Sequence, residues 1–214
     1  MNTLTKIALG MMGQLRPAPA KGDAAAAITL PAPEKTGGMP LMEALALRRS
    51  AREFERRELP LPVLSGLLWA AFGINRPDGG RTAPSALNAQ EIDLYVALPS
   101  GAYLYDPPAH SLRLVAASDL RRVTGYQDFV DEAPLDLVFV ADHARMRMVP
   151  AGQRQSYASV AAGAISQNVY LFAASAGLAT VIRAWIDRGA IASALGLTHD
   201  QEVLLSQTVG YPKA

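Results

Sequence analysis

Small side chains occupy several faces of one long predicted helix, which spans residues 157–177. They belong to Ala158, Ala161, Ala162, Gly163, Ala164, Ala173, Ala174 and Ala176. A helix without a continuous polar face must be covered nearly all round. A membrane is a poor cover, because hydrocarbon strongly disfavours the polar side chains of Gln153, Arg154, Gln155, Gln167 and Asn168. We therefore predict a helix at the centre of the fold that also packs against a second subunit.

The segments around this helix predict an α+β fold with a mixed, mostly antiparallel sheet between helix layers. Strand-like runs cover residues 92–98, 102–106, 111–116, 135–141, 178–185 and 202–210. Short turns separate the first three runs, which indicates an antiparallel meander. The run 135–141 is almost entirely apolar and is expected in the middle of the sheet. Further helices are predicted at residues 40–47, 63–72, 120–125 and 189–196.

Length and composition point to one domain whose partner is a small molecule or a protein. The chain has 214 residues, of which 50% are hydrophobic and 18% charged, and its net charge is +1. This balance gives no reason to expect nucleic acid or an anionic membrane as a ligand. The absence of cysteine excludes disulfides, thiolate chemistry and iron–sulfur clusters. His110, His143 and His199 lack the spacing of metal ligands, so we expect surface histidines and no metal site.

Residues 1–37 are predicted to form an N-terminal arm or linker, and residues 38–214 a single functional domain. Alanine, proline, glycine and lysine dominate residues 16–40, a composition typical of extended chain. Such an arm could lie along a partner subunit. The apolar patch 7–12 is too short for a membrane span and is a poor signal sequence. We therefore expect a cytoplasmic protein.

A cluster of arginines follows the predicted helix 40–47, in which Leu41, Met42, Leu45 and Leu47 share roughly one face. The cluster reads Arg48-Arg49-Ser50-Ala51-Arg52. Guanidinium groups offer planar forks of donors that suit phosphate oxygens. This composition indicates an anion site at the rim of a buried helix. The alternative is a solvated basic helix end, favoured by the helix dipole.

Residues 75–91 contain Pro77, Gly79, Gly80 and Pro84 and are predicted to form a long loop, which in compact domains is usually functional. The order R-R-S-x-R, then P-S-x-x-N-x-Q entering a strand, then G-Y-P at 210–212 resembles the flavin-dependent nitroreductase family. The likeness covers residues 38–213. Within the family, residues 69–77 together with 81–90 resemble the branch allied to the thiazole- and oxazole-forming dehydrogenases.

The resemblance implies a site for flavin mononucleotide (FMN) in a homodimer with composite sites. Arg48, Ser50 and Arg52 match phosphate and ribityl contacts, and Arg49 a backbone or pyrimidine-edge contact. The loop that a partner subunit lends to the flavin corresponds here to Pro84, Ser85, Asn88 and Gln90. For Asn88, an Asx turn before the strand is the structural alternative.

Two further matches to the family are incomplete. Ala184 falls where the family offers a backbone N–H to flavin N5 and O4, but the surrounding Arg183-Ala184-Trp185 departs from the usual acidic residue and glycine. Trp185 would either narrow the pocket or face the core. After G-Y-P, the basic residues that often reach the phosphate are missing, so Lys213 is the remaining candidate.

The implied activity moves a hydride from NADH or NADPH through flavin N5 to a flat acceptor such as a nitroaromatic or a quinone. Such chemistry belongs to the cofactor, so no catalytic side chain is expected. One alternative is an azoline-type dehydrogenase acting on a dedicated substrate. Those enzymes usually carry a catalytic Lys-Tyr pair, for which this sequence has no convincing spacing. Another alternative is a flavin-binding or interaction module without turnover.

Overall fold

A seven-stranded sheet forms the centre of the protein in the computed structural model, which describes residues 1–213. Its strands in chain order are β2 (Ala27–Thr29), β3 (Ile92–Leu98), β4 (Gly101–Asp106), β5 (Ser111–Ala116), β7 (Leu135–Asp142), β8 (Ala179–Arg183) and β9 (Gln201–Gly210). In space they lie in the order β2-β5-β4-β3-β7-β9-β8. A separate two-stranded ribbon pairs β1 (Ala18–Pro19) with β6 (Ser118–Asp119).

Five α-helices occur among the described residues: α1 (Thr3–Met11), α2 (Leu41–Leu47), α3 (Leu61–Phe72), α4 (Ala151–Ser175) and α5 (Arg188–Leu195). Short 3-10 turns cover Ala86–Asn88, Leu120–Val123, Asp128–Asp131 and His143–Met146. Within residues 1–213, none of the helices combines the length and the apolarity needed to cross a membrane.

The predicted α+β class and antiparallel meander are confirmed, and every neighbouring pair in the main sheet is antiparallel. β7 lies between β3 and β9 and is buried along all but its last residue, as its apolarity predicts. Its side chains alternate between two cores. Leu137 and Phe139 pack with α3 and α4 on one face, whereas Val138 and Val140 pack with α5 on the other.

The long helix α4 extends six residues further toward the N-terminus than the prediction from Tyr157. Pro150 fixes the entry into the helix, and the polar turns that follow can remain helical because they face solvent. Ala158, Ala161 and Ala162 are buried against the rest of the chain. By contrast, Val160 keeps 71% of its surface exposed, so the single chain leaves one apolar side of α4 uncovered.

The helix α2 has the predicted bounds and begins after Pro40, but its predicted burial is wrong for the single chain. Leu41 and Met42 are 62% and 75% exposed, and of the seven residues only Ala44 is buried. A seven-residue helix has about two turns, and its docking on α4 uses the alanine side. The face with the large side chains therefore remains free in one chain.

Residues 1–37 pack onto the rest of the chain through a helix and two short strands. The ammonium of Lys6 is buried and lies 2.6 Å from a carboxylate oxygen of Asp131, while Leu15 joins the core beside α5. The strand β2 extends the main sheet by pairing with β5. The domain boundary at residue 38 stays a prediction.

Two of the three histidines are more buried than predicted. His110 lies between Ser65 Oγ, 2.7 Å from Nε2, and the Tyr105 hydroxyl, 3.0 Å from Nδ1. His143 Nε2 lies 2.9 Å from Glu202 Oε2. Each ring contacts a side chain that is distant in the chain, Ser65 or Glu202, which a single sequence does not display. His199 is exposed, as predicted.

Candidate functional site

An open cleft of about 470 Å³ lies between the end of α2, the second half of α4 and the edge strand β8. Its lining comprises Ala46, Leu47, Arg48, Arg49, Ala51, Tyr170, Ala173, Ala174, Gly177, Leu178, Ala179, Thr180 and Pro212. We call it the arginine cleft. Small side chains of α4 and the glycine after it form one wall, which leaves room for a flat or extended ligand.

The arginine segment is pinned to the sheet after α2 ends. Ala51 N donates to Thr180 O at 3.0 Å, and Phe54 forms a bridge with Pro212. Glu55 N donates to Tyr211 O at 2.9 Å. These backbone bonds place the R-R-S-x-R motif beside the G-Y-P motif, although about 160 residues separate them in the chain. Lys213 joins the same region, since its N–H donates to Glu53 O at 3.2 Å.

The arginines of the segment are not neutralised by the described chain. Within residues 1–213, no carboxylate lies within 4.0 Å of the guanidinium nitrogens of Arg48, Arg49 or Arg52. Arg48 stacks over the Tyr170 ring, with its guanidinium carbon 5.2 Å from the ring centroid. Arg48 and Arg49 line the cleft, whereas Arg52 is exposed and is not among its lining residues. Adjacent unpaired guanidinium groups favour an anion.

Tyr170 organises the cleft, and the sequence analysis did not single it out. Its hydroxyl lies 2.8 Å from Ser50 Oγ and accepts a hydrogen bond from Ile182 N at 3.1 Å. One phenol therefore connects α4, the arginine segment and β8. A signal was present in the sequence, because Tyr170 is a large polar aromatic just before the small residues Ala173 and Ala174.

The outer edge of β8 borders the arginine cleft, and Ala184 follows this strand. In an antiparallel strand, alternate residues direct both backbone groups to the same side. Thr180 O and Ile182 N bond to groups outside the sheet, so their side is the open edge. Ala184 is exposed and follows β8 in a bend, outside the strand. It is not among the residues that line the arginine cleft, so its predicted flavin contact stays a prediction.

The side chains next to Ala184 face away from this edge. Arg183 is buried, and its guanidinium donates to Thr124 O and to Asp136 Oδ1, each at 2.6 Å. Burial raises the pKa of Asp136, although the Arg183 charge opposes that shift. Trp185 is 52% exposed and packs on Tyr126 with ring centroids 5.2 Å apart, so it does not face the core. Arg183 is therefore structural.

The predicted loop residues Pro84, Ser85, Asn88 and Gln90 do not line the arginine cleft of their own chain. They lie between α3 and β3, where Pro84 and Asn88 are exposed. Gln90 N donates to Ser85 Oγ at 2.9 Å, which closes the loop on itself. The two groups of predicted residues thus occupy separate surfaces of one chain.

Comparison with known proteins identifies the family. The profile described as "Nitroreductase family" matches residues 45–211, which is most of the chain. The chain belongs to the nitroreductase family. The match includes the arginine segment, the 84–90 loop and the first two residues of the G-Y-P motif, Gly210 and Tyr211. An oxidoreductase role follows from this membership, and the fold is that of the family.

A curated protein of Methanocaldococcus jannaschii that carries a nitroreductase name is 33% identical over 151 residues, which are 66% of this chain and 76% of that protein. A crystal structure from Ralstonia eutropha JMP134, also carrying a nitroreductase name, is 54% identical with a TM-score of 0.90. The match covers 94% of this chain and 96% of that one. An NADPH:FMN oxidoreductase from Vibrio harveyi, complexed with NAD⁺, shares the fold at 20% identity and a TM-score of 0.59. This match covers 81% of the present chain and 69% of the Vibrio harveyi chain.

Proposed function

We propose that this nitroreductase family member is an FMN-dependent oxidoreductase that takes electrons from NADH or NADPH and passes them to a flat acceptor such as a nitroaromatic or a quinone. The observation that carries the proposal is the arginine cleft, in which guanidinium groups without a carboxylate partner in residues 1–213 lie beside the edge strand β8. The Vibrio harveyi relative, which is named for FMN and was solved with NAD⁺, supports the same cofactors.

The residues of the cleft fit the chemistry of FMN. Arg48, Arg49 and Ser50 supply donors for a phosphate, with Arg52 and Lys213 close by in the same segments. Ala184, which follows β8 outside the cleft, is the proposed backbone donor to the flavin ring. When bound, the flavin supplies the two-electron redox chemistry. The protein would bind and orient the flavin and its substrates.

We propose a homodimer in which each flavin site is composite. The loop residues Pro84, Ser85, Asn88 and Gln90 cannot complete the cleft of their own chain, because they lie on another surface. A second copy could bring them there. The exposed apolar side chains of α2 and the uncovered side of α4 supply the surface that such an association would bury. The cytoplasmic location stays a prediction.

The azoline-dehydrogenase branch is the second candidate, and one observation favours it. The two segments that carry that resemblance pack together: Ile74 forms a bridge with Arg81, and Thr82 N donates to Gly73 O at 3.0 Å. Activity on a heterocyclic peptide, and not on menadione, would support this candidate.

The experiment that tests the proposed function starts from the absorbance of the purified protein. We expect a yellow protein with flavin bands, and oxidation of NADH or NADPH when menadione is added. A colourless protein that also fails to bind added FMN would overturn the proposal. Flavin binding without any turnover would support the non-catalytic module instead.

A further inference from the structure

The loop before β3 contains three non-glycine residues in the left-handed region of backbone space. The φ angles of Leu87, Asn88 and Gln90 are 55°, 51° and 48°. Asparagine tolerates this region, but leucine and glutamine adopt it only at an energetic cost. The surrounding contacts must therefore impose this conformation. Such strain is typical of segments that present a group to a ligand.

The side chain of Gln90 makes three of those contacts. Arg81 Nε donates to Gln90 Oε1 at 2.9 Å, and Gln90 Nε2 donates to Gly79 O at 3.1 Å and to Asn88 Oδ1 at 3.3 Å. Arg145 Nη1 donates to Gln90 O at 3.1 Å. Both hydrogens of the Gln90 amide are used within the chain, so this side chain has no donor left for a ligand.

Donor and acceptor rules fix the orientation of each amide in this series. Arginine has no acceptor, so Gln90 must turn its oxygen toward Arg81. The NH₂ group of Gln90 consequently faces Asn88, whose side-chain oxygen must accept the hydrogen bond. The NH₂ group of Asn88 is then left pointing away from Gln90, on an exposed residue. Arg81 itself is held over the Phe72 ring, with 5.2 Å from its guanidinium carbon to the ring centroid.

We infer that Arg81 and Gln90 are positioning residues that fix the Asn88 side chain as a hydrogen-bond donor toward the flavin. The inference rests on the proposed function. Gln90 then acts on the flavin through Asn88 and does not contact the flavin directly. Arg81 becomes a further residue of the site. The bound group must present an acceptor, such as a carbonyl oxygen, to Asn88.

The test measures the FMN dissociation constant by fluorescence titration of the full-length protein. Gln90→Glu keeps the acceptor for Arg81 but removes the donor to Asn88, so the Asn88 amide is expected to rotate and turn its oxygen outward. FMN binding should weaken about 3- to 10-fold, the effect of one neutral hydrogen bond. Arg81→Met frees the Gln90 amide and should weaken binding over the same range. Arg113→Met is the matched control, because Arg113 lines the same recess as Arg81 without a contact to the loop, and its constant should not change.

A double-mutant cycle separates positioning from a merely structural role. Asn88→Gly removes the presented group, and glycine tolerates the backbone angle. If Gln90 acts through Asn88, Gln90→Glu should cost nothing further in the Asn88→Gly background. Additive losses in the cycle, or an unchanged FMN constant for both Arg81→Met and Gln90→Glu, would overturn the inference.

Failure of this inference is distinguishable from failure of the proposed function. If the wild-type protein binds no FMN, the proposed function falls and the inference with it. If the wild-type protein binds FMN and the variants bind it equally well, the proposed function stands and the inference alone is wrong. Thermal unfolding of each variant shows whether the fold is intact.

Discussion

The arginine cleft and the loop that precedes β3 are both rich in donors, but they use them in opposite ways. In the cleft, Arg48 and Arg49 have no carboxylate partner within the described chain. In the loop, the Gln90 amide donates both of its hydrogens within the chain and accepts from Arg81 Nε, whereas the buried Nη1 of Arg81 has no hydrogen-bond partner within residues 1–213. Polar groups that a chain leaves open point to a ligand, whereas groups that it satisfies internally point to a scaffold.

Neither region makes a complete site in a single chain. The cleft offers cationic side chains beside β8, and the loop offers the exposed amide of Asn88. The exposed apolar faces of α2 and α4 indicate how the cleft of one chain could meet the loop of another. A second copy would cover apolar surface that one chain leaves in water. The following predictions test this contrast, from the largest expected effect to the smallest.

Val160→Glu should separate the two regions. Val160 is 71% exposed in the single chain, so a carboxylate there is harmless to a monomer. In the proposed dimer it would become a buried unpaired charge on each subunit. We expect dimer affinity to fall about 100-fold or more, with FMN lost at the same time, as measured by analytical ultracentrifugation. Leu4→Glu on α1 is the control, and equal behaviour of the two variants would contradict the proposed interface.

Arg48→Ala tests the open cations of the cleft, and Arg52→Ala extends the test to the exposed end of the segment. A charge-assisted hydrogen bond contributes roughly 1.5 to 3 kcal/mol, so FMN affinity should fall about 10- to 100-fold. Riboflavin, which lacks the phosphate, should bind wild type and variants alike. Arg56→Ala is the matched control, because Arg56 pairs with Glu132 and does not line the cleft. Unchanged FMN affinity would support the solvated helix end instead.

Tyr170→Phe tests the internal support of the cleft. The substitution removes the hydroxyl that accepts from Ile182 N and pairs with Ser50. We expect a loss of about 1 kcal/mol of stability, seen as a decrease of about 2 to 4 °C in the unfolding temperature. A variant as stable as wild type would show that water replaces this hydroxyl without cost.

Glu91→Gln tests whether the buried carboxylate that follows the loop makes the stability of the protein depend on pH. Glu91 is buried, and neither of its carboxylate oxygens has a hydrogen-bond partner within residues 1–213. Burial raises its pKa above the usual 4.5, against the opposing effects of its own backbone, Arg145 and His143. The folded state therefore holds the proton more tightly, and stability falls as pH rises from 4.5 through the raised pKa.

The variant cannot ionise, so its stability relative to wild type should increase with pH. Urea denaturation at pH 5 and at pH 8 measures the two differences in the free energy of unfolding. We expect near equality at pH 5 and a more stable variant at pH 8. The same difference at both values would show that Glu91 does not ionise differently in the folded and unfolded states.

The sequence predicted the sheet well because strands such as β3 and β7 carry their burial in their own residues. Their apolar runs are bounded by turn-forming residues, and both signals are local. The burial of α2 could not be predicted in this way. Its apolar face is real, but the sequence does not show whether the same chain or a second copy covers it.

The site residues show the same difference between local sequence signals and contacts that depend on the fold. The sequence motifs identified Arg48 and Asn88 as candidates, because the order and spacing of the motifs resemble those of the family. The roles of Tyr170 and Arg81 arise from contacts across 120 and 9 positions, which no spacing rule marks. Arg183 shows the converse, since a residue beside a predicted contact proved to be buried in an ion pair with Asp136.

Native mass spectrometry of the purified protein tests the central claim most directly, because it measures subunit number and bound flavin together. The account predicts a dimer that carries two FMN molecules and loses both when Val160→Glu separates the subunits. A monomer that retains one FMN would contradict it, since the arginine cleft of a single chain would then suffice.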